Sequence, residues 1–242
     1  MPKNIFFCSL LFILSQAAFC ADEPPLSIEE FLKRARHPPA AETWALMRGA
    51  AEHKRVGKDS SEVPIRLGIQ FSPERTRAAL KLGAKEGYVV GQPYDETPAT
   101  ILPTTPVEPA KSILANFGLR PEDLTMTFLF WKFKKEYERE SVKGQKCRVL
   151  DMTNPQTNEN AKVFISEQYY FPVKVEWTRS GENTPYRTLE VSELKRENDF
   201  WTVGELLLYG PGWKTRITFD DNKVGDVKDM PKDLIMDAND SK

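Results

Sequence analysis

Between Phe171 and Phe219, apolar residues recur at every second position and short polar turns interrupt them. Val173, Val175 and Trp177 alternate with Lys174, Glu176 and Thr178. That is the two-residue period of a strand with one buried face. Residues 180–183 supply a turn, the extended pattern resumes over 186–194, and a further segment runs from Phe200 to Tyr209. Gly210, Pro211 and Gly212 break it before Trp213 to Phe219 returns with Ile217 and Phe219 two apart. Turns this short cannot make the crossover that parallel strands need, so the stretch predicts an antiparallel meander. Such a meander needs something to cover its apolar face.

Upstream, Ser27 and Glu30 form a capping box, and Ile28, Phe31, Leu32 and Ala35 then share one helical face. Pro38 and Pro39 end that helix. Residues 44–56 fit either a helix or a strand. Val63, Ile65, Leu67, Ile69 and Phe71 give the cleanest alternation in the chain. Residues 76–82 read as a strand through Ala78, Leu80 and Leu82, although Ser72, Pro73 and Glu74 would also start a helix. A turn at 84–87 leads into a short strand at 88–90. Prolines at 93, 98, 103, 106 and 109 then predict an irregular loop. A helical turn or two is expected over 110–117, stopped by Gly118, and a second short helix from Arg120 with acidic first-turn residues Glu122 and Asp123. Strands follow at 133–140, 146–152 and 162–166, with a loop between the last two. No repeat and no linker is visible, so 21–242 reads as one domain. Its class is α+β, a strongly curved antiparallel sheet with helices against one face.

Residues 1–20 stand apart from this pattern. Lys3 precedes an apolar run from Ile5 to Leu14, and small residues follow around Cys20, which is the layout of a secretory signal peptide. A retained amino-terminal anchor is the plainer alternative. Lipidation at Cys20 would place bulky Phe19 where a small residue is expected. Cleavage removes Cys8 and Cys20 and leaves Cys147, which cannot form an internal disulfide and reads as a small buried residue. A formal net charge of -1 gives no electrostatic footprint for nucleic acid.

Catalytic patterns are missing. There is no GxSxG, HExxH, CxxC or phosphate loop, and His37 and His53 both read as solvent-facing. Residues 220–225 suggest a calcium loop, but Val224 stands where an oxygen ligand belongs and Pro231 where the closing Glu belongs, so a solvated turn is expected. Glu136, Glu138 and Glu140 share a strand face among Lys134, Lys135 and Arg139, which predicts a neutralised exposed surface. No catalytic residue, metal ligand or cofactor is assigned. Five tryptophans and 14 phenylalanines remain; aromatics in strands are ordinarily core, and some could instead line a cavity.

The order of several phrases resembles the LolA-like superfamily of outer membrane lipoprotein-sorting and lipoprotein carrier proteins. These are residues 63–69 with 88–92, Phe117, Gly118 and Leu119 with 123–131, residues 144–150, residues 171–174 and residues 212–215. The resemblance implies an incomplete antiparallel β-barrel with short helices as a lid over an apolar cavity. It also implies a periplasmic address, a non-catalytic monomer, and acyl chains of lipoproteins or lipids as cargo. An inner-membrane export complex and an outer-membrane acceptor would be its partners. A lipid- or lipoprotein-sensing regulator of the same fold is the alternative. About three acyl chains with roughly 40 methylenes would cost on the order of 30 kcal/mol to expose, so an enclosed apolar space suits that cargo. On this view Ile65, Leu67, Ile69, Phe71, Val173, Val175 and Trp177 are expected on the concave face, and Phe128, Phe130 and Trp131 in the lid. The arginine that locks the lid in the carrier proteins cannot be placed by motif.

Overall fold

The computed structural model describes residues 26–37, 42–197 and 200–235, and its twelve strands form one antiparallel sheet. The segment 1–20 with Cys8 and Cys20, the prolines at 38 and 39, and residues 198–199 lie outside those residues. Helix α1 (Ile28–Arg36) begins at the expected capping box: the Ser27 side chain accepts from the Glu30 amide while the Glu30 carboxylate accepts from the Ser27 amide. It buries Phe31 and Leu32. Strands β1 (Thr43–Arg55), β2 (Ser61–Phe71), β3 (Arg75–Leu82), β4 (Glu86–Pro93) and β5 (Thr100–Pro103) step outward to one edge of the sheet.

From the opposite edge, seven strands step back to the middle. They are β6 (Lys132–Val142), β7 (Gln145–Thr153), β8 (Asn160–Ser166), β9 (Pro172–Thr178), β10 (Arg187–Glu197), β11 (Phe200–Gly210) and β12 (Trp213–Asp226). The expected meander is β9 to β12. The two halves join where β1 pairs with β12, from Thr43 opposite Asp226 to Arg55 opposite Trp213. The edge strands β5 and β6 do not pair with each other, so the barrel stays open.

Those two edge strands are consecutive in sequence, and residues 104–131 must therefore travel from one edge to the other. This crossing contains a 3-10 turn (Pro109–Lys111), α2 (Ile113–Asn116), α3 (Pro121–Thr125) and a second 3-10 turn (Thr127–Phe130). Its Leu114, Phe117, Leu124 and Phe128 join one apolar cluster with inward residues of ten strands, among them Leu67, Leu80, Leu150, Val163, Val175, Leu189, Leu208 and Phe219. Phe31 and Leu32 of α1 complete it. Fully burying side chains of this size contributes about 1.5–3 kcal/mol each, so the crossing is held mainly by its apolar face.

Several expectations change. Residues 44–55 are strand, because β1 lies between two long partners that supply its hydrogen bonds. Residues 75–82 are strand, as their alternation predicted, and not helix. The proline-rich loop contains β5, and the helix expected over 110–117 shrinks to a 3-10 turn and four α-helical residues. The predicted solvated turn at 220–225 is instead the far end of β12, where Asp221 to Asp226 pair with Arg48 to Thr43. Cys147 is buried, as expected, and burial raises its thiol pKa. Glu136, Glu138 and Glu140 do not share one face as expected, because the register shifts between Tyr137 and Glu140. That shift sends Glu136 to Arg148, over Phe31, through two charge-assisted bonds at 2.6 and 2.5 Å, and Glu140 to Lys162, over Phe164 on the opposite side.

Gly49 sits where the β1–β12 register shifts. A Cβ there would lie 1.8 Å from the Thr218 carbonyl oxygen. Gly49→Ala should therefore destabilise the fold by about 1–3 kcal/mol. Gly91→Ala, whose added Cβ meets nothing within 4 Å, should stay within about 0.5 kcal/mol of wild type. Urea unfolding midpoints decide it; indistinguishable variants would refute the close β1–β12 approach.

Candidate functional site

The candidate site is the contact between the crossing and the concave face of the sheet. Ile65 and Leu67 on β2 are buried there, and Ile69 packs partly buried on the same cluster. Phe71 is half-buried at the end of β2, opposite Thr43 and Thr76. Val175 and Trp177 are buried in the cluster with Phe128, Phe130 and Trp131 of the crossing. The Phe128 ring meets Trp177 edge-on at 5.7 Å. Val173 departs from this group. The β8–β9 register shifts between Phe164 and Ile165, where Lys174 and Pro172 are the successive partners. The extra residue turns Val173 out of phase with Val175, into a separate cluster with Cys147, Val149 and Phe164.

Four polar clasps anchor the crossing, besides bonds made by its Thr105 and Arg120. At the β4 side, buried Glu86 accepts from the Ser112 hydroxyl at 2.7 Å and from the Ile113 and Leu114 amides at 2.5 and 3.3 Å. The first amides of α2 lack intrahelical partners, and Glu86 supplies an acceptor for two of them. The Tyr88 hydroxyl donates to the same carboxylate, and burial followed by that bond raises the Tyr88 pKa. From α1, Arg36 donates to the carbonyls of Leu129 and Trp131 at 2.9 and 3.2 Å.

Over the middle strands the clasp runs through His53, which is 7% exposed and not solvent-facing as its charged neighbours suggest. Arg55 Nε donates to His53 Nε2 at 3.0 Å. A guanidinium has no acceptor, so Nε2 must be unprotonated and Nδ1 carries the hydrogen. Nδ1 then donates to Thr215 Oγ1 at 2.8 Å, and Thr215 donates to the Phe117 carbonyl at 2.5 Å. Phe117 stacks on the imidazole at 5.1 Å. Burial, then the charge of Arg55, lowers the His53 pKa.

The fourth clasp is on β10. Arg187 and Asp123 are 3% and 1% exposed, and Arg187 Nη2 donates to Asp123 Oδ2 at 2.5 Å and to the Gly118 carbonyl at 3.1 Å. Asp123 Oδ2 also accepts the Arg120 amide at 2.7 Å, and the Arg187 guanidinium lies 4.5 Å from the Trp177 ring. Arg187 Nη1 and Asp123 Oδ1 are both buried without a partner. Each such atom carries a desolvation penalty of about 1–3 kcal/mol. Position 187 is in phase with Leu189 and Val191, so a charge at an inward place was the available sequence signal. Its partner was not legible, being 64 residues away.

Beside this clasp lies a pocket of about 610 Å³, lined by Asp123, Phe128, Trp131 and Trp177 below and by Arg120, Glu159, Arg179 and Tyr186 at its rim. Arg120 donates to Glu159 at 2.7 Å and to the Tyr186 hydroxyl at 2.6 Å, and Tyr186 donates to the other Glu159 oxygen. Burial alone would lower the Arg120 pKa, but the bond to Glu159 and its charge leave it raised. Burial is also the main cause of the raised pKa of Glu122 in the same pocket. Among the described residues no cluster could hold a metal ion, and no helix is long and apolar enough to cross a membrane.

This is the LolA-like open-barrel fold: an unclosed antiparallel sheet with a few short helices across it. Similar solved structures include an outer membrane lipoprotein-sorting protein domain from Vibrio parahaemolyticus (TM-score 0.60, 15% identity, covering 86% of this chain and 93% of that one). A DUF1329 family protein from Desulfovibrio piger matches with TM-score 0.61 and 11% identity over 86% of this chain and 95% of that one. A LolA superfamily protein from Nitrosomonas europaea matches with TM-score 0.53 and 11% identity over 88% and 98%. No protein-family model and no curated protein matches the sequence.

Two outcomes follow from the clasps. Because the fold keeps His53 neutral, stability should be fully present above the unfolded-state histidine value of about 6.5 and fall as the pH drops below it. His53→Gln should flatten that dependence in unfolding experiments; an unchanged profile would dismiss the His53 clasp. Removing one side of the buried pair, as in Asp123→Ala, should cost about 3–5 kcal/mol, and the Asp123→Leu, Arg187→Met double variant distinctly less. Additive costs in the same unfolding assay would count against the pairing.

Proposed function

We propose that this protein carries acyl-bearing amphiphiles through the periplasm, with its crossing segment 104–131 as the lid and the concave face of the sheet as the binding surface. The observation that carries this reading is the continuity of one apolar cluster from β1 across to β12, with its covering layer supplied mainly by the crossing segment and completed by Phe31 and Leu32 of α1. That segment touches the sheet through side chains and a few polar clasps and adds no strand of its own. Displacing it would uncover a trough able to take hydrocarbon in place of Leu114, Phe117, Leu124 and Phe128. Ile65, Leu67, Val175 and Trp177 would then contact the guest, and Phe128, Phe130 and Trp131 would move with the lid.

The likeness to a lipoprotein-sorting protein domain and to a LolA superfamily protein supports this cargo. The signal-peptide layout of residues 1–20 agrees with export. No bond is made or broken in the proposed cycle. Transfer would run down a gradient of apolar contact, from an inner-membrane donor to an outer-membrane acceptor.

Native mass spectrometry of protein purified from the envelope, followed by lipid extraction, tests this. Adducts with acyl-lipid masses are expected. Bare protein under every gentle condition, together with no uptake of a fluorescent fatty acid, would overturn the reading. Glu86→Gln weakens a clasp without altering the trough, so it should speed probe uptake several-fold while lowering the melting temperature by a few degrees, about 2–4 °C per kcal/mol for a chain of this size.

A further inference from the structure

The Arg187–Asp123 contact joins a strand of the sheet to the lid, and it is one-armed. Arg–carboxylate pairs with room to adjust are commonly bidentate, with two parallel N–H···O bonds. Here Nη1 of the arginine and Oδ1 of the aspartate are left over, both buried. Everything that Arg187 Nη2 bonds to, Asp123 and the Gly118 carbonyl, belongs to the crossing. If the lid leaves, α3 takes Asp123 away and Arg187 remains among Trp177 and the apolar strand residues. A neutral guest would leave that guanidinium as an unpaired charge in an apolar setting, which is strongly unfavourable.

We propose that Asp123 is a built-in stand-in for the head group of the guest, and that Arg187 selects acyl amphiphiles with an oxyanion head, a carboxylate or a phosphate. This rests on the acyl-carrier reading and narrows its cargo. The incoming anion replaces the aspartate and engages both Nη atoms of Arg187, which satisfies the donor that the closed state leaves idle. Asp123 and Trp177, which both meet Arg187, line the 610 Å³ pocket, so the head group has an approach from solvent. Of the other charges at that pocket, Arg120 and Glu122 depart with α3. Glu159 stays and keeps the Tyr186 hydroxyl, while Arg179 stays at the rim against Glu182 at 3.7 Å. Arg187 is then the buried cation that an anionic head meets.

The test compares three ligands with the same chain, each below its micelle concentration: palmitic acid, palmitoyl lysophosphatidylglycerol and monopalmitoylglycerol. Binding is read by displacement of a fluorescent acyl probe from the full chain. One or both anionic ligands should bind about ten-fold or more tightly than the glycerol ester, a difference of about 1.4 kcal/mol. Whether the acid or the phosphate is preferred identifies the source of the anion. Arg187→Gln should bring the affinity ratio to about one, and Asp123→Asn, which removes the competing charge, should raise it several-fold. Equal binding of all three heads by wild type overturns this proposal and leaves the acyl-carrier reading standing; binding of none overturns both. If Arg187→Gln does not fold, the wild-type ratio and the Asp123→Asn shift decide, and an unchanged ratio in Asp123→Asn counts against the proposal.

Discussion

A chain that leaves a twelve-stranded sheet at one edge and re-enters it at the other has to cross a face, and that constraint organises this molecule. Strand β5 ends at one border and β6 begins at the other, so residues 104–131 traverse the full width between them. A polar traverse would leave the inward side chains of ten strands in water. An apolar one buries both surfaces together, and the single cluster that runs from Met47 to Phe219 through Leu114 and Phe128 is the outcome. The open barrel and its lid are thus one solution to one topological problem.

The polar contacts along that traverse add position more than strength. Glu86, His53 with Thr215, Arg187 and Arg36 are spread over β4, β1 with β12, β10 and α1, and each meets the crossing at a backbone group or a capping side chain. Apolar contact alone would let short helices slide on a greasy surface, whereas directional bonds fix their register. The Arg187–Asp123 pair shows the other side of the same physics. Its two unpaired atoms are a standing penalty in the closed state, so the lid is held in place by a contact that is itself incompletely satisfied.

Outside the trough the sheet is covered piecemeal. Trp44, Leu46 and Leu234 form one outer cluster, and a Cβ at Gly68 would lie 2.4 Å from the Leu234 carbonyl oxygen, so only glycine lets the carboxy-terminal segment lie on β2. Cys147, Val149, Phe164 and Val173 form another. The exposed edge strand β6 carries Lys and Glu along both faces, a composition that discourages further strand pairing.

Local periodicity made much of the sheet readable from the sequence. Alternation over 63–71 and 173–219 marks strands because each side chain reports its own face, and the capping box at Ser27 and Glu30 needs only a three-residue span. Where the inward residues are small, as at Gly49 and Ala51, the signal fades, which is why β1 could not be told from a helix. The strict two-residue count also misplaced Val173, because a bulge shifts the face without any mark in composition. The clasps escaped for a different reason. Ser112 meets Glu86 across 26 positions, Asp123 meets Arg187 across 64, and Phe117 meets Thr215 across 98. What the sequence determined by itself was which residues alternate, and hence a greasy curved sheet with a short helical segment to cover it. Only the tertiary structure decided which charges meet beneath that cover, since a hydrogen-bond partner depends on where distant strands are brought together and leaves no period in the chain.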